Sequence, residues 1–320
     1  MSLKTLFVMD PLDKIDVHGD STWMQMRDAQ SRDWPVFCCE PGDLYSVNGE
    51  ARVLTRRVEL SGQVPWFHPS DPEDVSLASF DVVWMRKDPP FDMDYIFTTY
   101  LLDEVPATTL VLNRPSSIRD ANEKMIALAW PEFCPPTLVT REIQRAMDWA
   151  EESGEPVVIK PWDGNGGRGV LVTRFGDANL RSMLEVLTDE ERRYILMQHY
   201  IPEILEGDKR IILIDGQPLG WMLRVPQPGD HRGNMHVGAR VEPCELSERD
   251  REICTAIGPY LEEKGLVFTG IDTIGPYLTE INVTSPTGIQ EINQLMNIQL
   301  EKVLGDTVER RWKALQESTR

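Results

Sequence analysis

The chain has few basic residues for its acids: 33 Lys plus Arg stand against 52 Asp plus Glu, a formal net charge of −19 over 320 residues. Binding to nucleic acid or to an anionic membrane surface needs clustered basic side chains, so neither partner is expected. An anionic ligand must instead meet a local positive pocket. Cysteine is also scarce. Cys38, Cys39, Cys134, Cys244 and Cys254 are odd in number and form no C-x-x-C pair, and a chain of this size needs no disulfide framework. Reduced, buried thiols are predicted. The five histidines show no metal-binding spacing. No apolar run reaches the roughly 18 residues of a membrane span. Met1 to Met9 is stopped by Asp10-Pro11 and lacks the basic start, long apolar core and cleavage site of a signal peptide. A cytoplasmic location is the expectation.

The chain has 41% hydrophobic and 27% charged residues, the composition of an ordinary globular protein. Its length suits two or three subdomains of roughly 100 to 150 residues. Leu3 to Met9, Val36 to Cys39, Val82 to Met85 and Thr109 to Leu112 read as short buried strands, and Trp23 to Arg32 as an amphipathic helix. This β-loop-α-β opening predicts a small parallel sheet covered by helices, whose ligands sit at the carboxyl ends of its strands. Leu44 to Leu60 reads as a hairpin about Asn48-Gly49, a pair that tolerates two positive φ angles, and is expected to be a surface decoration. Helices are predicted at Asp120 to Trp130, Arg141 to Glu152, Ser247 to Lys264 and Ile298 to Gln316. Boundaries near residues 120 and 200 divide the chain into 1–120, 121–200 and 201–320.

Gly164-Asn165-Gly166-Gly167-Arg168-Gly169 fits G-x-G-x-x-G, a dinucleotide fingerprint only where a helix follows. Val170 to Thr173 is β-branched and short, so the unit is strand-loop-strand, which excludes both a Rossmann turn and a Walker loop. A glycine hairpin without Cβ atoms can bring its backbone N–H groups to a polyphosphate, with Lys160 at the strand end beside it.

The densest run of candidate ligands is Asp272 to Asn282, two β runs about Gly275-Pro276. A three-residue loop, Gly275 to Tyr277, pairs Asp272 with Glu280 and Gly270 with Asn282 and puts Asp272, Glu280 and Asn282 on one face. A two-residue loop splits them. Facing carboxylates about 5 Å apart repel by roughly 3 kcal/mol at an effective dielectric near 20, which a divalent cation relieves. Three oxygen donors favour Mg²⁺ or Mn²⁺ over zinc.

Together with Lys124 in "DANEKM", Lys160 in "VIKPWDGNGG" and Asp208 to Arg210 in "EGDKR", the run "DTIGPYLTEINVTSPTG" resembles the ATP-grasp ligases and, among them, the bacterial glutathione synthetase family. "FVMDPLDKI", "GDLYSVNGEARV", "VWMRKDPPFD" and "LNRPSSIRDANEK" extend the likeness over nearly the whole chain. The resemblance implies an α/β (α+β) ATP-grasp fold behind an N-terminal, Rossmann-like pre-ATP-grasp domain, with a central subdomain carrying the phosphate lid and a C-terminal subdomain carrying the metal. It implies joining of γ-glutamylcysteine to glycine through an acyl phosphate, with ATP consumed. The expected nucleotide contacts are Lys124, Lys160, Gly164, Gly166, Gly167 and Asp208, with Met197, Gln198, His199, Tyr200 and Ile201 around adenine. Asp272, Glu280 and Asn282 are the implied ligands of Mg²⁺ or Mn²⁺, and Arg210 and Arg224 are the implied catalytic guanidiniums. Ser21, Arg86, Asn113, Arg232, Ser285, Pro286 and Thr287 are implied around the peptide and glycine. Assembly as a homo-oligomer, a tetramer, is also implied. Two departures stand out: Met235 to Ala239 is bulkier than the small-residue loop usual in the family, and Asn165 and Arg168 replace the common Met and Ala. Two alternatives remain: an ATP-grasp ligase with a different amine acceptor, and a non-catalytic nucleotide-binding regulator.

Overall fold

The computed structural model describes residues 2–164, 166–229, 233, 235 and 238–319. The N-terminal part contains β1 (Thr5–Val8), α1 (Ser21–Ser31), β2 (Val36–Cys39), β3 (Leu44–Val47), β4 (Glu50–Leu60), β5 (Phe67–Pro69), β6 (Glu73–Ser76), β7 (Val82–Met85), α2 (Met93–Asp103), β8 (Leu110–Leu112) and α3 (Pro115–Asp120). Strands β2, β1, β7 and β8 are parallel neighbours, as their uninterrupted apolar runs predict. Asp20 caps α1 by accepting from the Thr22 N–H.

The hairpin about Asn48-Gly49 forms as expected, with φ of 53° and 82°, but it is not a surface decoration. β4 pairs antiparallel with β2, Phe37 opposite Arg57, and its Val53 and Val58 are buried. The sheet needs a cover for its β2 edge, and the alternating apolar residues of β4 supply it. The helix expected at Asp120 to Trp130 is also replaced. α3 ends at Asp120, and only a short 3-10 turn, Ile126–Ala129, follows. Asn122 Oδ1 accepts the N–H groups of Lys124 and Met125 at 3.2 and 3.0 Å, which competes with helix continuation. The turn directs Glu123 and Lys124 into the cleft described below.

The middle of the chain forms β9 (Thr137–Thr140), α4 (Ile143–Ser153), β10 (Val157–Pro161), β11 (Leu171–Thr173), α5 (Leu180–Leu187) and β12 (Ile195–His199), an antiparallel sheet of order β11-β10-β12-β9. The last part forms β13 (Asp208–Ile214), β14 (Gln217–Val225), β15 (Arg240–Glu242), α6 (Glu248–Lys264), β16 (Phe268–Ile274), β17 (Tyr277–Asn282), α7 (Ile289–Met296) and α8 (Leu300–Ser318). Its sheet runs β15-β14-β13-β16-β17.

Among the described residues, the hydrophobic cores separate these parts unequally. Ile143, Ala146, Val157, Ile159, Leu180, Leu184 and Met197 close a core of the middle lobe's own. The first and last parts instead share two cores. Leu6 and Val8 join Ile211, Leu213 and Ile257 in one, and Phe7 and Met9 join Ile212, Ile214 and Leu304 in the other. Period-2 alternation sends successive strand residues to opposite faces, so each sheet feeds both cores. Asn113 adds a polar clamp, exchanging hydrogen bonds of 2.8 and 2.9 Å with Phe268 O and N and donating to Val283 O at 2.9 Å. The base is thereby one packed body, and the middle lobe is a second with its own core.

Asp250 fixes the start of α6 against that base. Its carboxylate, closed off from solvent, accepts from Lys209 Nζ at 2.5 Å, Ser247 N at 2.8 Å, Ser247 Oγ at 2.7 Å and Thr273 Oγ1 at 2.9 Å. Burial opposes its ionisation, but these donors outweigh burial and hold the carboxyl below its usual pKa. The stabilisation is therefore complete above the unfolded value, about 3.9, and is lost as pH falls through the lower folded value. Asp250→Ala is expected to cost about 3 kcal/mol at pH 7, read as a lowered urea midpoint with an unchanged slope.

Candidate active site

Lys124, Lys160, Gly164, Gly166, Gly167, Gln198, Asp208, Arg224, Asp272 and Glu280 line one cleft between the middle lobe and the base. Strand parity explains the middle-lobe wall. Val157 and Ile159 point into that lobe's core, which turns Val158 and Lys160 to the cleft. Lys160 donates to Gln198 Oε1 at 2.8 Å, and burial lowers its pKa. β12 ends at His199, and His199, Tyr200 and Ile201 with Val158, Ile204 and Ile274 make the cleft's less polar end. Met197 belongs to the other parity: its side chain is buried in the middle lobe's core. β10 and β11 pair antiparallel across the glycine loop, with no helix following.

The opposite wall is the β16-β17 hairpin. Its turn has two residues, Gly275-Pro276, with Ile274 opposite Tyr277, not the three expected. A two-residue turn alone would place Glu280 on the wrong face. A bulge at Thr279 adds one residue to β17, so that Asp272 still faces Glu280 and Gly270 still faces Asn282. Thr279 Oγ1 donates to the Asp272 carbonyl at 3.1 Å.

Each acid on this face meets a cation. Arg210 makes a two-pronged contact with Asp272, Nε to Oδ1 at 2.5 Å and Nη2 to Oδ2 at 2.9 Å, and Arg224 reaches Oδ2 at 3.0 Å. Arg224 also forks onto Asp208, with Nε to Oδ1 at 3.0 Å. All four side chains are buried, so two acids and two guanidiniums balance without solvent. Burial opposes the ionisation of Asp272, but Arg210 and Arg224 outweigh it and hold the carboxyl far below its usual range. For Asp208 burial wins over Arg224 and the pKa rises. Lys124 Nζ spans Glu280 Oε1 at 2.8 Å and Gly164 O at 2.5 Å, joining the acid face to the root of the glycine loop. Burial opposes its charge, yet Glu280 outweighs burial and raises its pKa.

Asn282 Nδ2 donates to Gly270 O at 3.1 Å and to Asp272 Oδ2 at 3.3 Å, which fixes the amide and turns Oδ1 away from both. Asp272, Glu280 and Asn282 thus present hard oxygen donors side by side. Among the described residues, no three His, Cys, Asp or Glu side chains converge, so a metal here depends on Asn282 as the third donor.

Ser285, Pro286 and Thr287 continue the cleft past Asn282, alongside Arg210, Arg168 and Asp88. Arg86 lies behind this loop, its Nε on Thr22 Oγ1 and Nη2 on Pro286 O, both at 3.1 Å. Ser21 Oγ accepts from Ile289 N at 3.2 Å, and Asn113 makes the clamp described above. None of these three lines the cleft. Arg232 lies outside the described residues, as do Asn165 and His236. The sequence reading missed Glu123, whose Oε1 accepts from Val283 N at 2.8 Å, Thr284 N at 3.0 Å and Thr284 Oγ1 at 2.8 Å. Its place beside Lys124 in "NEK" was the available signal. All five cysteines are free, and among the described residues no helix is long and apolar enough to cross a membrane.

The model of the prokaryotic glutathione synthetase ATP-grasp domain matches residues 123–297, and that of the N-terminal domain of the same family matches 3–119. The chain is 44% identical over 317 residues to the glutathione synthetase of Pseudomonas syringae pv. tomato, covering 98% of this chain and 99% of the relative. It is 42% identical over 313 residues to that of Escherichia coli K12, covering 97% and 98%. A D-cycloserine synthetase superposes with a TM-score of 0.65 at 13% identity, covering 97% of this chain and 99% of that one. An ATP-grasp ligase bound to a phosphomimetic precursor variant, Mg and ADP gives 0.63 at 18% identity, covering 97% and 100%. The fold is the ATP-grasp fold, and the chain belongs to the prokaryotic glutathione synthetase family.

Proposed function

We propose that this cleft joins the cysteinyl carboxylate of γ-glutamylcysteine to the amine of glycine, forming glutathione, ADP and phosphate. The observation that carries the reading is the hairpin face on which Asp272, Glu280 and Asn282 stand together, flanked by Arg210, Arg224 and Lys124, across from the glycine loop. The chain uses ATP and a divalent metal. Mg²⁺ or Mn²⁺ suits three oxygen donors without His or Cys, and Asp272, Glu280 and Asn282 would hold it. When bound, it supplies charge neutralisation between the nucleotide's phosphates.

A carboxylate resists attack by an amine, so activation comes first. The terminal phosphoryl of ATP passes to the peptide carboxylate, and positioning and charge neutralisation do most of the work of that transfer. Lys124 and Lys160 contact the phosphates, and the glycine loop from Gly164 to Gly167 covers them. Asp208 contacts the nucleotide, whose adenine lies against Gln198, His199, Tyr200 and Ile201, with Met197 supporting that strand from behind. Arg210 and Arg224, already forked onto carboxylates, suit the oxyanion that forms when glycine attacks the acyl phosphate. The C–N bond forms, the C–O bond to phosphate breaks, phosphate leaves with the electron pair, and the proton lost by the glycine nitrogen passes to that phosphate or to water. Ser285, Pro286 and Thr287 shape the acceptor end, with Arg86, Ser21 and Asn113 behind them, and Arg232 is a substrate contact by family resemblance. Units of 1–120, 121–200 and 201–320, a cytoplasmic location and a homotetramer complete the reading.

ADP release should require γ-glutamylcysteine, glycine and the metal together. Release with γ-glutamylcysteine and a different amine only would replace glycine as acceptor, and no release would remove the ligase reading. The lid role has its own test. Arg168 is exposed at the cleft, and tryptic cleavage after it should slow about tenfold or more with ADP and Mg²⁺. Equal cleavage contradicts a phosphate lid.

A further inference from the structure

One end of the cleft is left unused by the phosphate chemistry. Asp88 follows β7 at the carboxyl edge of the N-terminal sheet and lines the cleft beside Pro89, Glu123 and Ser285. Its backbone is held from both sides: its N–H donates to Asp10 Oδ2 at 2.9 Å, and its carbonyl accepts from Lys87 Nζ at 2.7 Å. The nearby cations are committed elsewhere. Lys87 Nζ pairs with Asp10 Oδ1 at 2.9 Å, and Arg86 gives its hydrogen bonds to the neutral Thr22 Oγ1 and Pro286 O, so that its charge reaches Asp88 only through space. Among the described residues, no Lys or Arg nitrogen stands within 4.0 Å of the Asp88 carboxylate. A second unpaired group lies close by. The Tyr95 hydroxyl is buried without a hydrogen-bond partner among the described residues, and the charges acting on it are those of Glu123, Arg86, Asp88 and Asp10.

The charges of the cleft are therefore sorted. Arg168, Arg210 and Arg224 line the cleft with the acid face, and Asp88, whose carboxylate accepts from the Ser285 side chain, lines it with no ion-pair partner among the described residues. The carboxylate of Glu123 is taken up by Val283 N, Thr284 N and Thr284 Oγ1, with Lys124 and Glu280 close by, whereas Asp88 has Ser285 as its hydrogen-bond donor and the charges of Arg86, Asp20 and Asp10 around it. Glycine's nitrogen must come within about 3 Å of the activated carbon, so it belongs with the arginines. The peptide donor has a free α-ammonium at its other end, several bonds from the carboxyl that reacts.

We propose that Asp88 binds the α-ammonium of the donor's γ-glutamyl residue and so selects a donor with a free amino terminus. This rests on the ligase reading above. The test compares γ-glutamylcysteine with N-glutarylcysteine, which lacks only that amino group, in the wild type and in Asp88→Asn, following ADP release with glycine and Mg²⁺. One charge-assisted hydrogen bond corresponds to about 10- to 100-fold. The wild type should prefer γ-glutamylcysteine by that factor in kcat/KM, through KM. Asp88→Asn should lose the preference while its KM values for glycine and ATP stay within about threefold. Equal use of the two peptides by the wild type, full retention of the preference in Asp88→Asn, or a raised KM for glycine alone would overturn the assignment. An inactive wild type would instead remove the ligase reading. The wild-type comparison needs no variant to fold.

Discussion

Glu280→Gln is expected to lower turnover about a thousandfold or more while leaving the fold cooperative. The change keeps the side chain's size and removes one charge from the face shared with Asp272 and Asn282. It weakens the hold on a divalent cation and frees Lys124, whose Nζ otherwise rests on Glu280 at 2.8 Å. Charge stabilisation of this kind acts most strongly on the transition state. The stability cost should be moderate, about 1 to 3 kcal/mol, because Glu280 is 25% exposed but its partner Lys124 is buried and loses its charged acceptor. ADP release at saturating substrates, set beside a urea unfolding curve, separates the two quantities. Turnover within tenfold of the wild type would remove the metal role from Glu280.

Asp272→Asn should abolish activity and also weaken the fold, by about 3 to 5 kcal/mol. Here the lost charge is deep in the protein. Arg210 and Arg224 would be left with Asp208 as their one buried acid, so a guanidinium charge would stay uncompensated where solvent does not reach. The pH dependence has a fixed sign. The Asp272 carboxyl sits below its unfolded pKa in the folded protein, so its stabilisation is present above the unfolded value, about 3.9, and is lost as pH falls through the folded one. Wild type and Asp272→Asn should therefore differ most near neutrality and converge in acid. An unchanged urea midpoint at pH 7 would show that the arginine pair does not need this partner.

The contrast between these two acids shows what the sequence carries and what it does not. Pairing of Asp272 with Glu280 was legible from two β runs about a Gly-Pro turn, but the route to it was not. The loop is one residue shorter than expected, and the bulge at Thr279 restores the register, a local irregularity without a residue signature. The parallel strands and the type I′ turn at Asn48-Gly49 follow from apolar runs and from φ preferences that act within a few residues. β4 was misread as decoration because pairing with β2 depends on where another strand lies. The helix expected at Asp120 to Trp130 failed for a reason written locally, the Asn122 side chain taking two backbone N–H groups.

Burial is the least legible property of the site residues. Arg86 and Arg224 are both buried arginines, yet one braces the Pro286 loop from behind and the other enters the cleft. Their neighbours in sequence give no sign of the difference. Met197 could have been assigned to the core by parity, since Ile195 shares its side of β12. The lack of an ion-pair partner for Asp88 emerges only once Lys87 and Arg86 are seen to make their bonds elsewhere.

Calorimetric titration of a non-hydrolysable ATP analogue, with and without Mg²⁺, into the wild type and Glu280→Gln tests the metal face most directly. The structure predicts that Mg²⁺ tightens binding to the wild type by about tenfold or more and that Glu280→Gln loses most of that gain, with the metal-free affinities alike. The same Mg²⁺-dependent gain in both proteins would contradict it.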